Sequence, residues 1–341
     1  MTQIFNSRLL QKLFMILVTS YQDPDLDGTA CSVAEAEFLV RQGEEAVAGL
    51  FGKLHREAQA VIRTFNLEWP LNAMEVIDQV DEIVLTDASD LRGLAPEVDP
   101  QKVSVVIDHR KEYNPDDFPN ADLQIELVGS AATLVTEHFM KEGITPGKTA
   151  AYLLAGAIVS NTVNFQNKVT TSRDRLAYEW LQSQVEIPQD FVQMLFESKS
   201  TFTHEDLFDE IKHDAAWFEF AEFKLGIAQL EIVHAQAFLE EFHSDLPAIL
   251  ERLHVQQGIT HGFLSIIDID GGKDIFISPD KAVQKILTQA LGISWTDDRA
   301  TTSGIMMRKE IIPLLRKTLD SQLSPPLAPR PTVERSFGRA P

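Results

Sequence analysis

Asp23, Asp25 and Asp27 alternate along Tyr21-Gln22-Asp23-Pro24-Asp25-Leu26-Asp27-Gly28, directly after the apolar run Leu13–Val18. Like charges about 4 Å apart cost about 4 kcal/mol at an effective dielectric near 20. A bound cation removes that cost, and a carboxylate-held cation beside a strand end suits phosphate chemistry. Two further apolar runs end in acids. Val84-Leu85-Thr86 leads to Asp87, and Val105-Val106-Ile107 leads to Asp108-His109-Arg110. The latter offers a carboxylate, an imidazole ligand and a guanidinium fork in succession. Gly129-Ser130-Ala131-Ala132-Thr133 precedes a helical pattern. Its N–H groups and hydroxyls could cradle phosphate, or Ser130 could simply cap the helix. Ser160-Asn161-Thr162 closes another helix. Arg308-Lys309 adds two cations that either face an anion or form a solvated helix face.

Each segment also has a plainer role as a turn or cap. The opening of an EF-hand loop resembles Asp23-Pro24-Asp25-Leu26-Asp27-Gly28, but that loop needs a glutamate at its twelfth position, which is Ala34. The segment before it also reads as strand rather than helix.

The elements that must position these residues alternate in type. Leu13–Val18, Ala46–Leu50, Glu82–Leu85 and Val103–Ile107 read as buried strands. Ala30–Val40, His55–Phe65, Ala132–Met140, Thr149–Val159 and Ser172–Leu181 read as helices. The expectation is α/β, with a doubly wound, mostly parallel N-terminal sheet. Acids at three strand ends then converge where open α/β sheets bind ligands. Ile187-Pro188 interrupts the helical pattern and sets a boundary, giving a first domain over 1–187 and a smaller α/β domain over 188–323. In the second, Phe191–Ser198, Glu205–Lys212, Ala235–Leu253 and Arg308–Leu319 read as helices, and Phe223–Leu230, Gly262–Asp268 and Asp274–Ile277 as strands. The proline-rich segment 324–341 is expected to be disordered.

The 341 residues suit two domains at roughly 100–200 residues each. One cysteine, Cys31, excludes an internal disulfide and cysteine-rich zinc modules, and a reducing cytoplasm is the expected compartment. No apolar run approaches the ~20 residues of a membrane span. A net charge of −21 argues against duplex nucleic acid as partner. It does not exclude a small anion, because bound divalent metals reverse the local field.

In order and spacing these motifs resemble the DHH phosphoesterase superfamily, in the two-domain branch of family II inorganic pyrophosphatases and exopolyphosphatase/prune-type proteins. The resemblance covers roughly residues 13–320, and it includes Thr171-x-x-Asp174 and Arg308-Lys309-x-x-x-Pro313. It implies an active site in the cleft between domains, where two Mn²⁺ or Mg²⁺ ions ~3.5–4 Å apart activate a water that attacks phosphorus. By resemblance, Asp25 holds one ion, Asp27 and His109 the other, and Asp87 bridges both. Asp23 and Asn161 are further candidates. Asp87, Asp108 and His109 form the catalytic set. Arg110, Ser130, Thr133, Arg308 and Lys309 bind substrate phosphate.

The chain departs from the family pattern at several positions. Tyr21 stands where a His or Asn is usual, Asn161 where a carboxylate is, Arg110 where a second His is (a variation shared by prune-type members), and Ala216 where a substrate lysine is. The expected activity is a metal-dependent phosphohydrolase acting on polyphosphate, pyrophosphate or a small phosphoester. Mn²⁺ is the first choice of ion, with Mg²⁺ or Co²⁺ as alternatives. The alternative function is a catalytically weakened descendant that binds nucleotide, phosphate or a protein partner. A homodimer formed through an edge strand of the first domain is a further expectation, and no membrane association is expected.

Overall fold

The computed structural model describes residues 14–110, 113–220 and 223–323, which divide into two compact units. The proline-rich segment from residue 324 lies outside the described residues. Among the described residues, no helix is long and apolar enough to cross a membrane.

The first unit comprises residues up to Thr203 together with Glu231–Ala235 and Asp268–Gly271. In chain order it contains β1 (Ile16–Thr19), α1 (Leu26–Gln42), β2 (Ala46–Leu50), α2 (Arg56–Thr64), β3 (Leu71–Asn72), β4 (Glu82–Thr86), β5 (Val103–Asp108) and β6 (Asp122–Ile125). Four further helices follow: α3 (Ala131–Glu142), α4 (Lys148–Asn161), α5 (Ser172–Gln184) and α6 (Phe191–Lys199). The sheet runs β3-β2-β1-β4-β5-β6 with every neighbour parallel. This is the doubly wound arrangement, whose order reverses between β1 and β4. Both sheet faces are buried, which explains the continuous apolar strands. Leu17, Ile83 and Leu85 pack on one side, and Ile16, Val18 and Val84 on the other.

α1 starts earlier than its apolar pattern suggests. Asp25 caps it, its Oδ1 accepting the Gly28 N–H at 2.9 Å, so Asp27 lies in the first turn. Negative charge is favoured there. α6 packs with the first unit, past the expected break at Val185–Gln189. Its Phe191 lies in an aromatic group with Phe65 and Tyr152.

The second unit comprises His204–Leu230, Gln236–Ile267 and residues from Gly272 onward. It contains α7 (Leu207–His213), β7 (Ala215–Phe220), β8 (Phe223–Ile232), α8 (Ala235–Phe242), α9 (Leu246–Gln257), β9 (His261–Asp268), β10 (Lys273–Ile277), α10 (Lys281–Leu291), β11 (Trp295–Thr296), β12 (Arg299–Thr301) and α11 (Arg308–Leu323). Its sheet runs β11-β12-β10-β9-β8-β7 over a core of Phe263, Phe276, Ile311 and Leu315. The helix expected over Ala235–Leu253 is two helices. Asp245 and Pro247 start α9 afresh, because proline fits a helix's first turn but not its interior.

Candidate metal centre

Three strand ends at the point of reversal supply the site. Asp25 and Asp27 follow β1, Asp87 follows β4, and Asp108-His109-Arg110 closes β5. One ligand atom each from Asp27, Asp87 and His109 lies within 4.8 Å of the other two. His109 Nε2 is 3.5 Å from Asp87 Oδ1 and 3.8 Å from Asp27 Oδ2. Its Nδ1 lies 3.1 Å from the Val128 carbonyl. A carbonyl only accepts, so Nδ1 carries a proton and Nε2 is the nitrogen turned towards the carboxylates. That is the ring orientation a metal ligand needs.

Asp27 is fully buried and heavily hydrogen-bonded. Its Oδ1 accepts from Ser130 Oγ at 2.8 Å and Ala132 N at 2.9 Å, and its Oδ2 from Ala131 N at 2.9 Å and Asn161 Nδ2 at 2.5 Å. Burial nevertheless pushes its carboxyl up, and neighbouring Asp25 adds to this. His109 and the donors of α3 pull in the opposite direction. Burial likewise pushes Asp87 well above the usual carboxylate range, reinforced by Asp27, Asp25 and Asp108 and opposed by Arg110. Two crowded carboxylates and an imidazole nitrogen within reach of one another fit a divalent cation. Asp87 also has a φ of 53°, a sparsely allowed conformation that asparagine and aspartate tolerate best among residues with a side chain.

Other expected site residues make contacts of their own. Asp23 lies on the adjoining turn, where its Oδ1 accepts the Lys53 N–H at 2.7 Å. Asp25 is outside the three-residue group, yet close enough for its charge to act on Asp27 and Asp87. Asp108 is fully buried, with Oδ1 bound to its neighbour's N–H at 2.6 Å. It therefore orients His109.

The helix start expected to cradle phosphate holds a protein carboxylate instead. Ser130 and Thr133 are fully buried, Ser130 binding Asp27 and Thr133 Oγ1 binding Asp174 Oδ1 at 2.6 Å. The α3 N–H groups of Ala131 and Ala132 point at Asp27. Arg308 is likewise engaged within the second unit. Its Nη2 is 2.7 Å from Asp214 Oδ1 and its Nη1 donates to the Asp214 carbonyl at 2.6 Å. Lys309 is exposed, and Ala216 lies on β7 opposite Ile227.

Sequence reasoning named Asp174 only within a motif and without a role, and passed over Glu57 and Lys199. Asp174 is fully buried and also accepts from Gly129 N and Thr171, tying the start of α5 to the loop before α3. The signal was the capping pattern Thr171-x-x-Asp174. Behind Asn161, Ser160 Oγ donates to Glu57 at 2.5 Å, and Lys199 Nζ lies 3.2 Å from both Glu57 and Glu231. These residues lie on separate elements, and no local pattern joins them.

No protein-family model matches the chain. Over 309 residues it is 27% identical to a Listeria welshimeri protein named "Probable manganese-dependent inorganic pyrophosphatase", covering 89% of this chain and 98% of the relative. A Bacillus mycoides protein of the same name is 24% identical over 308 residues, covering 90% and 99%. Its homologues are manganese-dependent inorganic pyrophosphatases. The fold agrees as well. The Methanococcus jannaschii "putative family II inorganic pyrophosphatase" superposes with a TM-score of 0.70 at 23% identity, over 90% of this chain and all of that one.

Proposed function

We propose that the chain is a metal-dependent phosphohydrolase that cleaves a phosphoanhydride, with pyrophosphate or a short polyphosphate as substrate and Mn²⁺ as the preferred ion. The observation that carries this reading is the meeting of Asp27, Asp87 and His109 Nε2 at the sheet's point of reversal. The manganese-dependent pyrophosphatase names of its homologues support the same substrate class. A divalent ion held there supplies positive charge for the developing phosphate charge and activates water as nucleophile.

The chain's own residues divide the remaining work. His109 is held by the Val128 carbonyl, whereas Asp27 already accepts two hydrogen bonds on each oxygen, so an ion on its Oδ2 would take the place of the Asn161 amide. Half-exposed Arg110 presents a guanidinium beside Asp87 and Asp108 for an incoming phosphate. Attack of water on one phosphorus breaks the bridging P–O bond and releases the far phosphate as leaving group.

Phosphate release with Mn²⁺ across pyrophosphate, tripolyphosphate and small phosphoesters tests the reading. Turnover of an anhydride that disappears in His109→Gln supports it. Hydrolysis of phosphoesters alone would move the substrate class, and hydrolysis unaffected by the substitution would remove His109 from the site.

One arrangement favours the weakened descendant as a second reading: Tyr21 Oη accepts the N–H groups of Ser89 and Asp90 rather than facing the ligands. Tight phosphate binding without turnover is its expected result.

A further inference from the structure

We infer that, before substrate arrives, this site holds a single divalent ion on Asp27, Asp87 and His109, and that the Arg110 guanidinium supplies the second positive charge. The inference rests on the metal-dependent reading above and concerns how many ions that site accepts.

The donors outside the three-residue group are committed elsewhere. Tyr21 Oη accepts two backbone N–H groups, from Ser89 at 3.1 Å and Asp90 at 3.3 Å, which fills its lone pairs. Asp23 is bound to Lys53 N and packed so closely on Gly52 that a Cβ there would fall 2.2 Å from Asp23 Oδ1. Asp25 caps α1 through Oδ1. It remains as one carboxylate facing a place where a second ion would need several oxygen ligands.

A cation is already built into that side of the site. The Arg110 guanidinium lies over the Tyr21 ring, 4.7 Å from its centroid. Its Nη1 is 3.0 Å from Asp90 Oδ2, and its Nε is 3.6 Å from Asp108 Oδ2. That Asp108 oxygen is buried and has no hydrogen bond, so the guanidinium is its charge partner. Tyr21 thus orients both parts of the clamp. Its hydroxyl holds the loop that carries Asp90, and its ring carries the guanidinium. Arg110 cannot lose its proton at working pH, so a second ion placed beside it meets a permanent positive charge. Asp25, Asp27, Asp87 and Asp108 need compensation, and one divalent ion plus one guanidinium supplies most of it. Held by the pair with Asp90 and the stack on Tyr21, Arg110 occupies its place without any ion being present.

Counting bound Mn²⁺ tests this without reference to turnover. Full-length protein stripped with a chelator is titrated with Mn²⁺ in the absence of phosphate, and free Mn²⁺ is read from its six-line electron paramagnetic resonance signal. The expected result is one ion taken up per chain, with further Mn²⁺ appearing as free ion. Arg110→Ala, with its fold checked by circular dichroism, is expected to take up a second, weaker ion, whereas Arg110→Lys keeps the charge and the single ion. Two ions of similar affinity in the unsubstituted protein would overturn the inference and leave the metal-dependent reading standing. A single ion in Arg110→Ala would overturn the role of Arg110. No uptake at all would remove the metal-dependent reading itself.

Discussion

The Asn161 side-chain amide donates to Asp27 Oδ2 at 2.5 Å, so a neutral donor closes the side of the site where a carboxylate would add charge. Asn161→Asp replaces that donor with an anion facing a fully buried carboxylate. Without metal, the variant is expected to lose on the order of 1–3 kcal/mol of stability, the cost of an unsatisfied buried group. With saturating Mn²⁺ part of that loss is recovered, because affinity rises about tenfold, equivalent to about 1.4 kcal/mol. Thermal melts and Mn²⁺ titrations check both arms.

Asp87 is raised by burial and by the carboxylates around it. A raised carboxyl contributes stability that is fully present below its unfolded value, ~3.9, and lost as pH rises through the folded value. Asp87→Asn removes that loss and keeps a side chain suited to a φ of 53°. The metal-free variant is therefore expected to be more stable than the parent at pH 8, by about 1–3 kcal/mol. That advantage shrinks towards pH 4. Urea melts of chelator-treated protein across that range measure it.

Gly129 stands where a Cβ would fall 2.6 Å from Thr162 Cγ2 and 3.0 Å from Asp174 Oδ2. Gly129→Ala is expected to cost about 1–3 kcal/mol through overpacking. It also displaces Ser130 from Asp27, so Mn²⁺ affinity falls along with the melting temperature. A loss of stability with metal affinity intact would show that this loop does not position Asp27.

Lys199 bridges Glu57, Glu231 and Ser160 behind the end of α4. Burial would raise the Glu57 carboxyl, but Lys199 and Ser160 outweigh it and hold it below its usual range. That contribution is present above the unfolded value, ~4.3, and lost as pH falls through the lower folded value. Lys199→Met is expected to cost about 3–5 kcal/mol near neutral pH by leaving buried carboxylates without their cation. The deficit narrows towards pH 4, and melts at the two pH values check the sign.

How much of this was legible in the sequence depended on range. The strands carrying Asp87 and Asp108, and the α/β alternation, follow from apolar runs that stay within one element. β3 and β11 are two residues each, too short for any periodicity, and β6 is largely polar at the sheet edge. The start of α1 was hidden because Asp25 and Asp27 look like loop residues, although they are a cap and a first-turn acid. At the site, residue types at strand ends marked Asp25, Asp27, Asp87 and Asp108-His109-Arg110 as candidates, and the family resemblance supplied the ligand roles. What Ser130 and Thr133 bind depends on partners 103 and 41 positions away, which no motif encodes. The clamp of Tyr21 on Arg110 is hidden for the same reason.

The most direct test of the account is Mn²⁺-dependent phosphate release from pyrophosphate by the unsubstituted chain and by Asp87→Asn, each with and without chelator. The account predicts release that chelation abolishes and that Asp87→Asn lacks, with the variant still folded. Release that persists in Asp87→Asn, or that is indifferent to chelation, would contradict a metal centre built on Asp27, Asp87 and His109.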